Sequence, residues 1–276
     1  MGVTVTITKG GASAQSLQQA MSSIIAQKPA AVLLPAADPV EYRTAMDELS
    51  SAGIPVVSQG IADTAQFAAI KGVIFGAAAD KLAGKLLADW VVENGGNQPS
   101  VFYSTSELTF NSYLENGFKA ELAALCATCQ VRYVEVPITT VGNSAPSLVT
   151  NDLRAHPQTK NVVFSTEEAA DGLPAALNVA GIKVNITGFA PDPEVLGYIK
   201  AGSVTSGLGY DALTSTWEQI DEAARLLTGQ GLTPSQQQDA VVFQMLSQAD
   251  ITFDPSHGFT GYPDGPARFA KLWSST

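Results

Sequence analysis

Ala30-Ala31-Val32-Leu33-Leu34-Pro35 is a continuous apolar run. Asp38-Pro39 and a helix-length stretch to about residue 52 follow it, and Ile54-Pro55-Val56-Val57-Ser58 is the next short run. A strand that is apolar at every position, rather than at every second one, is buried on both faces, which points to a parallel sheet covered by helices. The same strand, turn and helix rhythm extends outward from here. Upstream, residues 3–8 alternate like a strand, Lys9-Gly10-Gly11 turns, and Ser13 opens a helix to about residue 27. Downstream, a strand is expected at 73–75 and a helix at about 78–94. The stretch Asn94-Gly95-Gly96-Asn97-Gln98-Pro99 then reads as a linker. Beyond it the rhythm restarts, with strands expected at 100–104, 131–136, 161–165, 184–189 and 204–208. Helices are expected at about 110–125, 145–155, 168–180, 193–201 and 213–228, and a last strand at 240–246. Two successive α/β sheets fit two similar lobes better than one very large sheet.

The composition excludes several classes. The 276 residues hold 15 Lys+Arg against 26 Asp+Glu, a net charge of −11. Apolar residues make up 45% of the chain and are spread along its length, which excludes intrinsic disorder. An acidic chain without a Lys/Arg cluster has little with which to displace counterions from a phosphate backbone, so no nucleic-acid partner is expected. No apolar run approaches the ~18 residues of a membrane span. The opening residues have neither the basic start nor the apolar core of an export signal.

Five local phrases, in order, carry a resemblance. They are Ala52-Gly53-Ile54-Pro55-Val56-Val57; Asn116-Gly117-Phe118-Lys119; Val163-Phe164-Ser165-Thr166-Glu167-Glu168-Ala169-Ala170-Asp171-Gly172; Gly188-Phe189 with Pro193-Glu194 and Ile199-Lys200-Ala201-Gly202; and Phe269-Ala270-Lys271-Leu272-Trp273. Together they resemble the type I periplasmic binding proteins, in the sugar-binding branch related to ribose-binding protein. The resemblance implies two doubly wound α/β lobes joined by three crossovers, with residues 1–98 plus 211–239 in one and 99–210 plus 240–276 in the other. It implies a small-molecule ligand held between lobes that close by a hinge, delivery to an ABC permease in the membrane, a monomer, an extracytoplasmic location, no cofactor and no catalysis. A ligand-sensing module of a receptor, or of a lactose-repressor-like regulator, is the alternative reading.

Two departures from the family qualify it. Its members place a strand and helix before the segment matching residues 3–27. The resemblance therefore implies that Met1 is internal, and that a signal peptide and a first βα unit of about forty residues precede it, leaving the first lobe truncated here. The second departure lies in the ligand positions. Gly60 and Ile61 stand where an Asp-Arg pair is usual, Leu114 where an Arg is, Thr166 and Glu167 for an Asn-Asp pair, Ala190 for an Asp, and Tyr210 for a Gln or Asn. Each buried sugar hydroxyl needs a donor or acceptor, and this set has been exchanged for small, apolar or aromatic groups. A typical polyhydroxylated sugar is therefore not expected. A less polar ligand is, with Phe110, Tyr113 and Tyr210 as platforms. Glu107, Glu167 and Asp211 leave room for an amine, and Gln59 completes the candidate ligand set.

The remaining motifs have plainer readings. Cys126 and Cys129 follow a helix, the wrong end for a thioredoxin-like redox site, and zinc would need two further ligands. A local disulfide is expected, with free thiols the alternative. Gly10-Gly11 lacks the rest of a phosphate-loop motif. His156 precedes Pro157 in a polar loop and reads as solvated; for His257, in Asp254-Pro255-Ser256-His257-Gly258, reach to a hinge or ligand is the minor reading. No serine sits in a nucleophile elbow. Glu167 and Glu168 are helix neighbours that do not face each other, so they suit a helix start better than hydrolysis. Trp90 and Trp217 fall in helices as core residues, and Trp273 anchors the last helix.

Overall fold

The structure, a computed structural model, describes residues 4–10, 14–34, 43–60, 64–95, 97–238 and 240–274. Ser13, Asp38-Pro39, Ile61 and the second glycine of each Gly-Gly pair (Gly11 and Gly96) lie outside them. The chain divides into two compact units. Unit 1 comprises residues 1–77, 213–241 and 262–276; unit 2 comprises residues 78–212 and 242–261. Relative to the expected lobes, the helix after residue 77 goes with the second unit and the closing helix with the first.

In unit 1, helices α1 (Ala14–Ala26) and α2 (Arg43–Ser51) alternate with strands β1 (Val32–Leu34), β2 (Val56–Gln59) and β3 (Ile70–Ile74). The strands form a parallel sheet in the order β1-β2-β3. Met21, Val32, Leu34, Met46, Leu49, Val56, Phe67 and Ile70 build its core. Helix α8 (Ala212–Thr228) packs onto the sheet through the Gln219 amide, which donates 2.8 Å hydrogen bonds to the Leu34 and Val57 carbonyls. Gly72 makes room for the buried Glu222 of the same helix: a Cβ there would lie 2.2 Å from Glu222 Oε2. A short helix α9 (Pro234–Gln237) is fixed by a Thr233–Gln236 capping box. The closing helix α10 (Gly265–Ser274) is held by Trp273, whose indole N–H donates to Asp221 at 2.8 Å, and by the Trp217–Phe269 stack.

The strand expected over residues 3–8 is not formed across the described part, 4–8. Val5 and Ile7 are 55% and 85% exposed, and these residues have no ladder partner among the described residues. Alternating β-branched residues supply strand propensity, but a strand forms only where a neighbour supplies hydrogen bonds and an apolar face.

In unit 2, α3 (Ala77–Glu93) leads into β4 (Ser100–Ser104), α4 (Asn111–Leu125), β5 (Val131–Glu135), α5 (Ala145–Ala155), β6 (Asn161–Phe164), α6 (Leu173–Ala180), β7 (Asn185–Gly188), α7 (Pro193–Ala201) and β8 (Ser206–Tyr210). Strands β5-β4-β6-β7 are parallel, and a single Phe189–Leu208 bridge sets β8 beside β7. Strand β9 (Phe243–Ser247) pairs antiparallel with β8. Every residue of β4 and β6 is buried, as the apolar stretches Val101–Tyr103 and Val162–Phe164 at their centres require, and the polar Ser100, Ser104 and Asn161 at the strand ends are buried with them.

The helix expected from 168 to 180 is divided. A 3-10 turn runs from Glu167 to Ala170, and α6 begins only after Gly172, which takes a left-handed conformation at φ 73°. Glycine enters that region without the Cβ penalty and so breaks the helix. Cys126 and Cys129 form the expected disulfide, closing the turn between α4 and β5 with their Cα atoms 5.4 Å apart.

Candidate functional site

In a parallel α/β sheet the free space for a ligand lies beyond the carboxyl ends of the strands, where the connecting loops diverge. In unit 2 that edge carries aromatic rings. Phe110 follows β4, Phe189 follows β7, Tyr210 ends β8, and Phe243 faces Tyr210 in the β8–β9 register. Phe189 is the hub. Its ring centroid lies 5.9 Å from Phe110, 6.2 Å from Tyr210 and 6.2 Å from Phe243, and Tyr210 and Phe243 are 6.4 Å apart. These spacings fall within the range of favourable tilted and edge-to-face ring contacts. Phe110, Tyr210 and Phe243 are half-buried, and Phe189 is buried beneath them at 4% exposure.

The backbone beneath this wall is unusual. Ala190 holds a left-handed φ of 57°, with its N–H donating to the Leu208 carbonyl at 2.9 Å. Phe75, just beyond β3 in unit 1, has a φ of 62°. For a residue with a Cβ, that region costs of order 1–2 kcal/mol, and such strain gathers where the surrounding structure fixes a functional shape. Phe75 and Ala190 both stand just past the carboxyl end of a parallel strand, whereas Lys28 of unit 1, at φ 50°, follows helix α1.

The residues singled out from the sequence divide into three groups. Phe110 and Tyr210 belong to the wall, and the half-buried Thr166 and Ala190 lie at the same edge, after β6 and β7. Tyr113 lies one turn along α4 with the Lys81 ammonium 5.7 Å above its ring. Gln59 ends β2 of unit 1, half-buried.

The three acids take other places. Glu107 is exposed and accepts the Ile138 N–H; its own backbone N–H and that of Ile138 hold its carboxyl below the usual range. Asp211 is 1% exposed and accepts from the Thr260 hydroxyl at 3.1 Å and the Gly261 N–H at 2.9 Å, so it ties the 260–261 segment to the end of β8. Glu167 is fully buried, with an oxygen 2.5 Å from where a Cβ on Gly207 would sit, and neither of its oxygens has a hydrogen-bond partner among the described residues. Burial first, and then the charge of Asp192, raise its carboxyl well above the ordinary range. Glu167 and Asp211 are thus packed within unit 2, and the amine reading loses two of its three carboxylates.

Sequence reasoning missed Phe189 and Phe243. Phe189 was quoted only as part of a strand phrase, yet Gly188-Phe189-Ala190 at a strand's end was itself a signal, because that is where ligand-facing residues sit. Phe243 depends on the β8–β9 register, which no local pattern specifies. A depression of about 250 Å³ on unit 1, lined by Tyr262, Arg268, Phe269 and Leu272 among others, holds none of the candidate residues. Among the described residues, no group of three His, Cys, Asp or Glu is placed to hold a metal ion, and no helix is long and apolar enough to cross a membrane.

A helix-covered parallel sheet with a built face at its carboxyl ends defines a doubly wound α/β ligand-binding domain. Residues 1–231 match the family described as the periplasmic binding protein domain, and the chain belongs to that family. Its fold is that of the type I members, as the sequence led us to expect. The chain is similar to an ABC transporter solute-binding protein from Agrobacterium vitis with bound D-fucose, at 17% identity and a TM-score of 0.75, covering 91% of this chain and 87% of that one. It is also similar to a solute-binding protein from Burkholderia graminis C4D1M in complex with D-arabinose, at 16% identity and a TM-score of 0.74, covering 90% and 85%. A putative LacI transcriptional regulator from Bacteroides fragilis is comparably similar, at 13% identity and a TM-score of 0.75, covering 89% and 84%. No curated protein matches the sequence. The family comprises binding proteins rather than enzymes.

Proposed function

We propose that this protein is the extracytoplasmic solute-binding component of an ABC importer, and that it takes a small, weakly polar ligand against the aromatic wall of unit 2. The carrying observation is the cluster of Phe110, Phe189, Tyr210 and Phe243 at the carboxyl ends of the strands, at ring spacings of 5.9–6.4 Å. Phe110, Tyr210 and Phe243, half-buried around the buried Phe189, offer apolar area at this edge and, from Tyr210, one hydroxyl, which suits an aromatic or largely apolar ring. The carboxylates that would read sugar hydroxyls are engaged elsewhere: Asp211 holds Thr260 and Gly261, and Glu167 is buried. Family membership supports binding without chemistry, and the Cys126–Cys129 bridge suits an oxidising compartment. The likeness to a putative LacI regulator keeps a ligand-sensing module as the second reading. Stimulation of a cognate permease–ATPase by the loaded protein separates the two.

A thermal-shift screen of sugars, polyols, amines and aromatic compounds tests the ligand class. At a hundredfold excess over Kd a true ligand stabilises by about 2.7 kcal/mol, which for a protein of this size raises the midpoint by roughly 5–10 °C. Aromatic hits are expected, and Tyr210→Ala should weaken them at least tenfold. Tight binding of ribose or galactose would refute the assignment.

A further inference from the structure

Glu167 is a buried ionisable group that the binding reading leaves without a role, and its surroundings give it one. Its backbone N–H donates to the Phe189 carbonyl at 2.9 Å, so the Glu167–Ala170 turn is bonded directly to the hub of the aromatic wall. Its side chain passes beneath that connection into a space left by two glycines. A Cβ on Gly188 would meet Glu167 Cβ at 3.1 Å. One on Gly207 would meet Glu167 Oε2 at 2.5 Å, beside Pro191 at 2.9 Å and Ile199 at 3.0 Å. These neighbours are apolar, and among the described residues neither carboxyl oxygen finds a donor.

The charges around it are unfavourable to an anion. On the same turn stand Glu168 and Asp171, the latter pushed up to about 7 by burial and then by Asp192, Glu194 and Glu168. From α7 come Asp192, which caps the helix by accepting the Val195 N–H, Glu194 and the Tyr198 hydroxyl; Lys200 on that helix turns to the Phe253 carbonyl. On α5, Asp152 is paired with Arg132. Strands β6, β7 and β8 contribute only the half-buried Tyr210 as a titratable group. An ionised Glu167 must therefore leave its pocket for water, and the turn bonded to Phe189 must move with it.

We propose that Glu167 is a positioning residue for the aromatic wall, acting only as the neutral acid: protonated, it keeps the 167–170 turn docked under Phe189, and ionised, it undocks that turn. The inference rests on the ligand reading for its consequence, a fall in ligand affinity as pH rises, but the undocking itself needs no ligand. The sign follows from linkage. The docked state holds a proton that the undocked state releases near the ordinary glutamate value of about 4.3. Docking is therefore complete below that pH and weakens about tenfold per pH unit above it, up to the raised value of the docked acid.

Hydrogen exchange on the ligand-free protein from pH 5 to 8, corrected for the intrinsic rate, tests this. Protection of the Glu167 and Ala190 amides should fall about tenfold per pH unit above pH 7, and more steeply below it, where Asp171 contributes as well. The Val136 amide, bonded to the Ser104 carbonyl at 2.8 Å away from this turn, should hold steady. In Glu167→Gln the local slope should vanish above pH 7, where Asp171 no longer contributes, and Glu167→Met should behave likewise with higher protection. A wild-type slope retained in both variants, or a loss shared equally by Val136, overturns the proposal. Neither result depends on whether any compound binds the wall.

Discussion

Helices α3 and α4 cross with their backbones in contact, and two glycines make this possible. A Cβ placed on Gly84 would lie 1.9 Å from the Leu114 carbonyl oxygen and 2.7 Å from the Phe118 nitrogen. One on Gly117 would lie 2.1 Å from the Lys81 oxygen. Each obstacle is backbone, which cannot rotate aside as a side chain can. To restore ordinary contact near 3.4 Å, Gly84→Ala must part the helices by about 1.5 Å. That shift loosens the packing of Ala83, Leu87 and Val91 on one helix and Leu114, Phe118 and Leu122 on the other, all buried. Overpacking of this kind costs about 1–3 kcal/mol, with the upper end expected where backbone meets backbone. The alanine returns roughly 1 kcal/mol of helix propensity, leaving a net loss of about 2 kcal/mol. At roughly 2–4 °C per kcal/mol the melting midpoint should fall by about 4–8 °C. Gly197 on α7 is the control: no described residue lies within 4 Å of its Cβ position, so Gly197→Ala should gain helix propensity alone and raise the midpoint by about 2–4 °C. Thermal melts followed by circular dichroism decide the matter. A Gly84→Ala protein as stable as Gly197→Ala would mean that the helices do not meet as described. The Gly84→Ala/Gly117→Ala double variant should lose less than the sum of the two singles, since one parting of the helices relieves both clashes.

Two further predictions concern unit 2. Asp152 accepts two hydrogen bonds from Arg132 at 3.0 and 2.8 Å and one from the buried Tyr103 hydroxyl at 2.7 Å. Asp152→Ala should cost about 1–3 kcal/mol in denaturant melts by stranding that hydroxyl. Although burial alone would raise the Asp152 carboxyl, these hydrogen bonds bring it below its ordinary value. The wild type should therefore hold the stabilisation above about pH 4 and lose it as the pH falls further, and Asp152→Asn should lack that loss. The disulfide closes a loop of only about four residues, for which chain entropy gives about 2 kcal/mol. Cys126→Ser/Cys129→Ser should melt roughly 4–8 °C lower. Reductant should lower the wild type equally and leave the variant unchanged; a variant destabilised further by reductant would contradict this.

Much of the fold was legible because it rests on local chemistry. Unbroken apolar stretches such as residues 101–103 and 162–164 became the centres of buried parallel strands, since a strand covered on both faces suits that pattern. The helix Pro193–Ala201 could be read from Asp192, Pro193 and Gly202: the first caps it, the second suits its first turn, and the third ends it at φ 74°. What local chemistry does not contain is a partner. Residues 4–8 alternate well but gain a strand only if another strand lies alongside, and none does among the described residues. In the same way Gly172 carried the information that the 168–180 helix must break, but its left-handed conformation is chosen by the packing of the turn before it.

The candidate site was legible to the extent that side-chain type decides a role, and it failed where burial decides. Phe110 and Tyr210 were identified as platforms because large rings at strand ends have few other uses, and they lie in the wall. Glu167 and Asp211 were grouped as an acidic cleft because a carboxylate in sequence looks charged and free. Asp211 is instead satisfied by Thr260 and Gly261, about fifty residues away in the chain, so its role is set by a contact of high sequence separation. Glu167 is buried because Gly188 and Gly207 vacate the volume it fills, and two absent side chains on neighbouring strands are invisible until the strands are paired. The same argument gives the site its character. Had Gly207 been alanine, Glu167 would have been pushed outward and ionised, and the edge beside Phe189 would carry a negative charge. The glycine therefore helps decide whether this face presents rings alone or rings beside a carboxylate, and so which chemistry it admits.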